Sequence, residues 1–260
     1  MTGGDVDAAA LASYLSRELG VSVVDTEVLH EGLNRSVAIS TAREERAYVL
    51  RRPNEMRATE SFIDVTREYG VLERLQDTPV AAPEPVLVCT DGSVIGTPFL
   101  VASYLDGEAI QLGADPPERF QRPAARERIG TLLVETLADL HSANPASFAA
   151  VCERRSLRDQ VAESADRLDA ATQVTGHEPL AIWDVADWLR RNAPPDSEVT
   201  LCHGDFRPGN VLFAGMDTPV ISGVLDWETA FLGDPLTELG YLLLRWRDDG
   251  DWTPPPGELE

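Results

Sequence analysis

Apolar and polar positions alternate along VSVVDTEVLHEGLNRSVAISTAREERAYVLRRP (21–53), and two turn signals interrupt the alternation. A period of two sends successive side chains to opposite faces of a sheet, so this pattern predicts antiparallel strands near 23–30, 35–41 and 46–52. The period then changes. In ESFIDVTREYGVLERLQ, Phe62, Val65, Tyr69, Leu72 and Leu75 recur at helical spacing, and the prolines of TPVAAPEP end that helix. PVLVCTDGSVIGTPFLVASYL returns to strand character on both sides of Asp91-Gly92. Residues 21–105 are therefore expected to form a five-stranded sheet with one helix inserted after the third strand.

The N-terminal stretch MTGGDVDAAALASYLSRELG reads as an amphipathic helix, and its acidic residues stand where a signal peptide needs positive ones. Beyond Asp106 long helical patterns take over, ARERIGTLLVETLADLHSA, SLRDQVAESADRLDAAT and AIWDVADWLRRN, after the glycine- and proline-rich linker DGEAIQLGADPPERFQRP. Within this helical part VLF (211–213) and VISGVL (220–225), separated by AGMDTP, predict a β-hairpin. The expected class is α+β, with a small sheet lobe over 1–105 and a larger, mainly helical lobe over 106–260.

Composition narrows the function. No apolar run approaches the roughly 18 to 20 residues needed to cross a bilayer, so no membrane partner is expected and the chain reads as cytoplasmic. The three cysteines, Cys89, Cys152 and Cys202, lack C-x-x-C spacing and read as reduced, buried thiols. Acidic residues number 44 against 22 basic ones, every basic one an arginine, for a net charge of −22. A polyanion would be repelled over most of such a surface, so nucleic acid is excluded as a partner. The acidity resembles that of proteins from salt-accumulating haloarchaea; a high-GC genome would explain the missing lysine but not the charge. The sequence carries no signal for an oligomeric state.

The segment LCHGDFRPGNVLF (201–213) carries the chemistry. The hairpin returns to its origin, so Asn210, at the start of its first strand, comes near Asp226, just past the end of its second. An asparagine and an aspartate side by side offer hard oxygen ligands suited to Mg²⁺. Asp205, five residues before Asn210, is then free to face a substrate hydroxyl. H-x-D-x-x-x-x-N, a hairpin and a second aspartate form the arrangement of kinase-type phosphoryl transfer.

HGDFRPGN, VLDWE and GDPLTELGY resemble the three signatures of the aminoglycoside phosphotransferase and choline kinase superfamily, whose fold is protein-kinase-like, over about Val21 to Trp246. YVLRRP, REYGVLERL and SVIGTPFLVASYLDGE resemble in particular the phosphotransferase domains found alone or fused to acyl-CoA dehydrogenases. The resemblance implies an ATP- and Mg²⁺-dependent phosphotransferase acting on a small hydroxylated substrate. It makes Asp205 the base that takes the acceptor's proton, and Asn210 and Asp226 the magnesium ligands. Arg51 falls where such kinases carry a lysine on the third strand, with Glu68 as its partner; Arg52, pointing to the opposite face, is the alternative. Asn34 and Ser36, in EGLNRS, are the candidates for phosphate contact, a simple hairpin turn being the other reading. Adenine is expected against the backbone of Ser103, Tyr104 and Leu105.

His203 is expected to pack beneath the loop, Asp234 and Glu238 to start a helix, and His141 and Asn144 to end one. Arg154, Arg155 and Arg158 are candidates for holding an anionic acceptor such as a hydroxyacyl-CoA or hydroxy acid, a solvated helix face being the alternative. Members of this superfamily continue through several helices after GDPLTEL, whereas this chain stops at WTPPPGELE, so a shortened acceptor wall is also expected. A non-catalytic nucleotide-binding module, a truncated phosphotransferase and an antibiotic (aminoglycoside) kinase are the rival readings. The charge generates a first expectation. Crowded carboxylates repel most in the compact state, and molar salt shortens the Debye length to about 3 Å, so the unfolding midpoint should rise between about 0.1 M and 2 M KCl. A midpoint independent of KCl would remove salt adaptation as the cause of the acidity.

Overall fold

The computed structural model describes residues 8–31, 34–53, 64–111, 113–176, 180–195 and 198–244. By compactness the chain divides into two discontinuous units, Met1–Leu133 with Pro208–Glu228, and Val134–Arg207 with Thr229–Glu260.

The first unit opens with α1 (Ala8–Leu19) and an antiparallel sheet of β1 (Val23–Glu31), β2 (Asn34–Thr41), β3 (Tyr48–Pro53), β4 (Pro85–Cys89) and β5 (Phe99–Ser103), in spatial order β1-β2-β3-β5-β4. α2 (Val65–Leu75) follows β3, as the change of period requires. Asp64 caps it, its carboxylate accepting from the amides of Thr66 and Arg67. Phe62 lies outside the described residues.

Alternation sorts the sheet into two faces. Val37, Ile39, Leu50, Phe99 and Val101 point to one side and bury against Leu11 and Leu15, one turn apart on α1. Ser36, Val49, Arg51, Leu100 and Ala102 have the opposite parity and face a cavity. The hairpin of β7 (Val211–Ala214) and β8 (Val220–Val224) belongs to this unit too. It is tied to the segment after β5 by the paired backbone bonds of Glu108 and Phe213, both 3.0 Å, and to the segment after α2 by Val224 N–H donating to Ala81 O at 2.8 Å.

In the second unit, α4 (Leu157–Thr175), α5 (Leu180–Asn192) and α6 (Pro235–Leu243) accompany the C-terminal half of α3 (Pro123–Ser142). β6 (Thr200–Cys202) pairs with β9 (Phe231–Gly233) and places Leu201, Cys202 and Phe231 in the interior. A capping box of Ser156 and Asp159 starts α4, and Asp234 caps α6 by accepting from the amide of Leu236 at 2.9 Å. Cys89, Cys152 and Cys202 are all buried free thiols. No helix among the described residues is long and apolar enough to cross a membrane.

Leu50 is fully buried against α1, whereas Val24 on β1 is 61% exposed. Leu50→Ala should therefore cost about 2–5 kcal/mol in urea unfolding, and Val24→Ala no more than about 0.5 kcal/mol. Equal losses would mean that the α1 face is not the core.

Candidate functional site

The inner face of the sheet and α2 surround a cavity of about 300 Å³ in the first unit, with Ser36, Val49, Arg51, Leu100 and Ala102 from the strands and Glu68 and Leu72 from the helix. Ser103, Tyr104, Leu105, Asp226 and Trp227 also line it. The odd-even register of β3 decides which arginine enters. Arg51 does, and Arg52 is buried on the Leu50 side. Arg51 lies 3.0 Å from Glu68, 2.8 Å from Asp226 and 3.8 Å from Glu228. Burial works against its charge, but Glu68, Asp226 and Glu228 outweigh that and hold the guanidinium above its ordinary value. Burial pushes the Glu68 carboxyl up to about 7, opposed by Arg51 and reinforced by Asp226 and Glu228.

Asn34 is buried at the start of β2 and donates through Nδ2 to Glu228 Oε2. Asn210 ends a short 3₁₀ turn, Pro208–Asn210, at the foot of the hairpin. Its carbonyl accepts from the amide of Leu225 at 2.8 Å, and Val211 pairs with Val224, so the hairpin does bring Asn210 alongside the residue preceding Asp226. Asp226 adopts a left-handed backbone with φ of 69°, and the buried Trp227 beside it donates its indole N–H to Val224 O at 2.8 Å. Asn210, Asp226 and Glu228 thus supply an amide and two carboxylates, a hard-oxygen donor set that fits Mg²⁺.

Asp205 belongs to the second unit, in the loop after β6. The fully buried His203 accepts at Nδ1 from the Asp205 amide, 3.2 Å away. Gly204 has φ of +86°, and a Cβ there would stand 2.5 Å from Thr229 O, so only glycine fits. Its amide donates to Glu238 Oε1 at 2.8 Å, and Glu238 Oε2 meets His141 Nε2 at 3.1 Å. Arg207 Nε donates to Asp205 Oδ2 at 3.2 Å, and the Tyr241 hydroxyl donates to Asp205 Oδ1. His141, Cys202 and Glu238 bring possible ligand atoms within 4.8 Å of one another. Burial, then Glu238, push the Cys202 thiol up to about 12, which leaves it protonated, and both Glu238 oxygens are engaged. That cluster braces the loop.

A second cavity of about 450 Å³ lies in this unit, bounded by Arg155, Glu163 and Arg167 on one part of its wall and by Gly204, Glu238 and Tyr241 on another. Arg155 pairs with Glu163 and lies over the Phe231 ring, 5.3 Å from its centre, while Arg167 approaches Glu163 at 3.5 Å. Of the three arginines expected at an acceptor site, Arg155 is in this wall; Arg154 and Arg158 are exposed and outside it.

Residues 26–257 match the model of the phosphotransferase enzyme family. The chain belongs to that family. Among its relatives, acyl-CoA dehydrogenase family member 11 of Gallus gallus is 38% identical over 199 residues, covering 75% of this chain and 25% of that protein. The Homo sapiens protein of the same name is 34% identical over 207 residues, covering 76% and 25%. The chain thus spans about a quarter of the length of the relatives it matches. A protein assigned as an aminoglycoside phosphotransferase from Ralstonia eutropha has a crystal structure of TM-score 0.72 to this one, at 23% identity over 95% of this chain and 72% of that one. The GDP complex of aminoglycoside 2′-phosphotransferase-IIIa gives 0.69 at 19% identity, over 92% and 79%. These likenesses show the protein-kinase-like fold of the phosphotransferases.

Sequence reasoning assigned no chemistry to Glu228, Arg207 or Tyr241. Glu228 had a signal, an acidic residue two positions after Asp226; the contact of Tyr241 with Asp205 spans 36 residues and had none. Gly204 yields the test of the loop's geometry. Gly204→Ala should cost about 1–3 kcal/mol in urea unfolding, whereas Gly240→Ala, where a Cβ meets nothing within 4 Å, should be neutral or stabilising.

Proposed function

We propose that the chain is an ATP- and Mg²⁺-dependent phosphotransferase that moves the γ-phosphoryl group to a hydroxyl of a small molecule. The observation that carries this reading is Arg51, held at once by Glu68 of α2 and by Asp226 in the wall of the first cavity. A half-buried cation next to an oxygen-rich corner, in a cavity whose wall also carries Val49, Leu72, Leu100, Ala102 and Leu105, is what a nucleoside triphosphate needs.

Leu100, Ala102 and Leu105 offer the purine an apolar slot. The amides of Ser103 and Tyr104 are engaged by Glu84 O at 2.8 Å and Ala47 O at 3.1 Å, so among the three amides base recognition falls to that of Leu105. Arg51 contacts the phosphates with a planar fork, where a lysine would offer a point charge. Asn34 and Ser36 approach the same phosphates from β2. Asn210 and Asp226, with Glu228 close by, hold the magnesium, which when bound neutralises phosphate charge. Asp205 receives the proton of the acceptor hydroxyl, and Arg207 keeps positive charge beside it. The division into a nucleotide-binding lobe, 1–105, and a catalytic lobe, 106–260, is part of this proposal, as is a cytoplasm rich in salt as its setting.

For the acceptor we favour a hydroxyacyl thioester or related hydroxy acid over an aminoglycoside. Two things support that choice: the relatives carry acyl-CoA dehydrogenase names, and Arg155 and Arg167 stand in the wall of the second cavity. Phosphate-31 NMR of ATP consumption against both classes of acceptor tests it, and phosphorylation of kanamycin-type sugars alone would overturn it. With the accepted substrate, Asp205→Asn should lower turnover at least about a hundredfold at near-normal Mg·ATP affinity. Asp226→Ala should abolish metal-dependent nucleotide binding, measured by calorimetry. Normal turnover of Asp205→Asn would remove it as the base.

A further inference from the structure

Glu238 and Tyr241 stand three residues apart on α6 and so project from the same face of that helix. Both reach the loop after β6. Glu238 holds the loop's backbone through the Gly204 amide, and Tyr241 holds the side chain of Asp205 through Oδ1. Arg207 Nε holds Oδ2, so each oxygen of this carboxylate has a fixed donor. α6 itself is anchored by its Asp234 cap and by the burial of Glu238 and Leu242. Tyr241 therefore projects from a rigid element. It is also half-buried and lines the second cavity, together with Thr237 and Glu238 of the same helix.

A carboxylate that accepts a proton in flight must be held in one rotamer, and its oxygens must retain lone pairs for the incoming hydroxyl. A donor on each oxygen meets the first need. The second is compatible with these two donors, because each carboxylate oxygen can accept twice. The phenol's placement adds a further consequence: a hydroxyl that comes from this cavity to Asp205 Oδ1 arrives beside the Tyr241 oxygen, already hydrogen-bonded there.

We propose that Tyr241 is a positioning residue for phosphoryl transfer. Its phenol fixes the orientation of Asp205 and marks the point at which the acceptor hydroxyl enters from the second cavity. This rests on the reading of Asp205 as the base.

The test uses the full chain with Mg·ATP and water as the acceptor, phosphate release being the readout, in wild type, Asp205→Asn, Tyr241→Phe and the double variant. Tyr241→Phe should lower kcat about tenfold, the scale of one hydrogen bond to a charged group, while leaving KM for Mg·ATP within about twofold. Added to Asp205→Asn it should cause no further loss, because it acts only through that carboxylate. Unchanged kcat in Tyr241→Phe, or losses that multiply in the double variant, would overturn the proposal. If Asp205→Asn itself hydrolysed ATP normally, the base reading would fall and this proposal with it. A second measurement needs no turnover: 3-fluorotyrosine placed at position 241 should show a fluorine resonance that moves on Asp205→Asn. A resonance indifferent to Asp205 would mean that the tyrosine only fills the wall, and would equally overturn the assignment.

Discussion

One half-buried guanidinium draws three carboxylates together in the first unit, and the site there is organised around that cation. Without Arg51, Glu68, Asp226 and Glu228 would crowd like charges into a poorly solvated space, at a cost of several kcal/mol per uncompensated ion. With it, α2, β3 and the end of the hairpin are joined by side-chain charge as well as by apolar packing. The cation cannot be placed without the sheet. Only the parity of β3 sends Arg51 inward while Leu50 joins α1 and Arg52 lies on the Leu50 side.

The same arrangement suits the proposed binding of Mg·ATP. A cation already balanced by several carboxylates can yield part of that coordination to phosphate oxygens while its remaining partners hold it in place. Glu68 is the most enclosed of those partners, with 3% of its side chain exposed, whereas Asp226 keeps 34% of its side chain open. A buried carboxylate suits a permanent anchor. A half-open one suits a ligand that must meet an incoming metal.

In the second unit the constraint is backbone geometry. Gly204 passes so close to Thr229 that no side chain fits, and the loop is held from below by His203 and from α6 by Glu238. Asp205 is thereby carried on a loop whose neighbours on both sides are fixed. Buried polar groups would ordinarily be costly there, but Glu238 meets His141 and the Gly204 amide, and His203 accepts from the Asp205 amide.

The five strands, α2 and the hairpin were legible in the sequence because each is a local pattern: a period of two, a period near 3.6, or a turn of fixed length. The motif residues Asp205, Asn210 and Asp226 were legible for a related reason, since their spacing along one short segment specifies a loop and a hairpin. Which of Arg51 and Arg52 faces the cavity needs a register, which the pattern of β3 supports but only pairing with β2 and β5 settles. Glu228 as a third carboxylate on Arg51, Asn34 as its partner, and Tyr241 on Asp205 were beyond sequence reasoning. Those contacts join residues 36 to 194 positions apart, and no periodicity carries information over such distances. Local hydrogen bonding and side-chain parity decided the elements and the motif; which charges and hydroxyls meet was decided only when packing brought distant elements together.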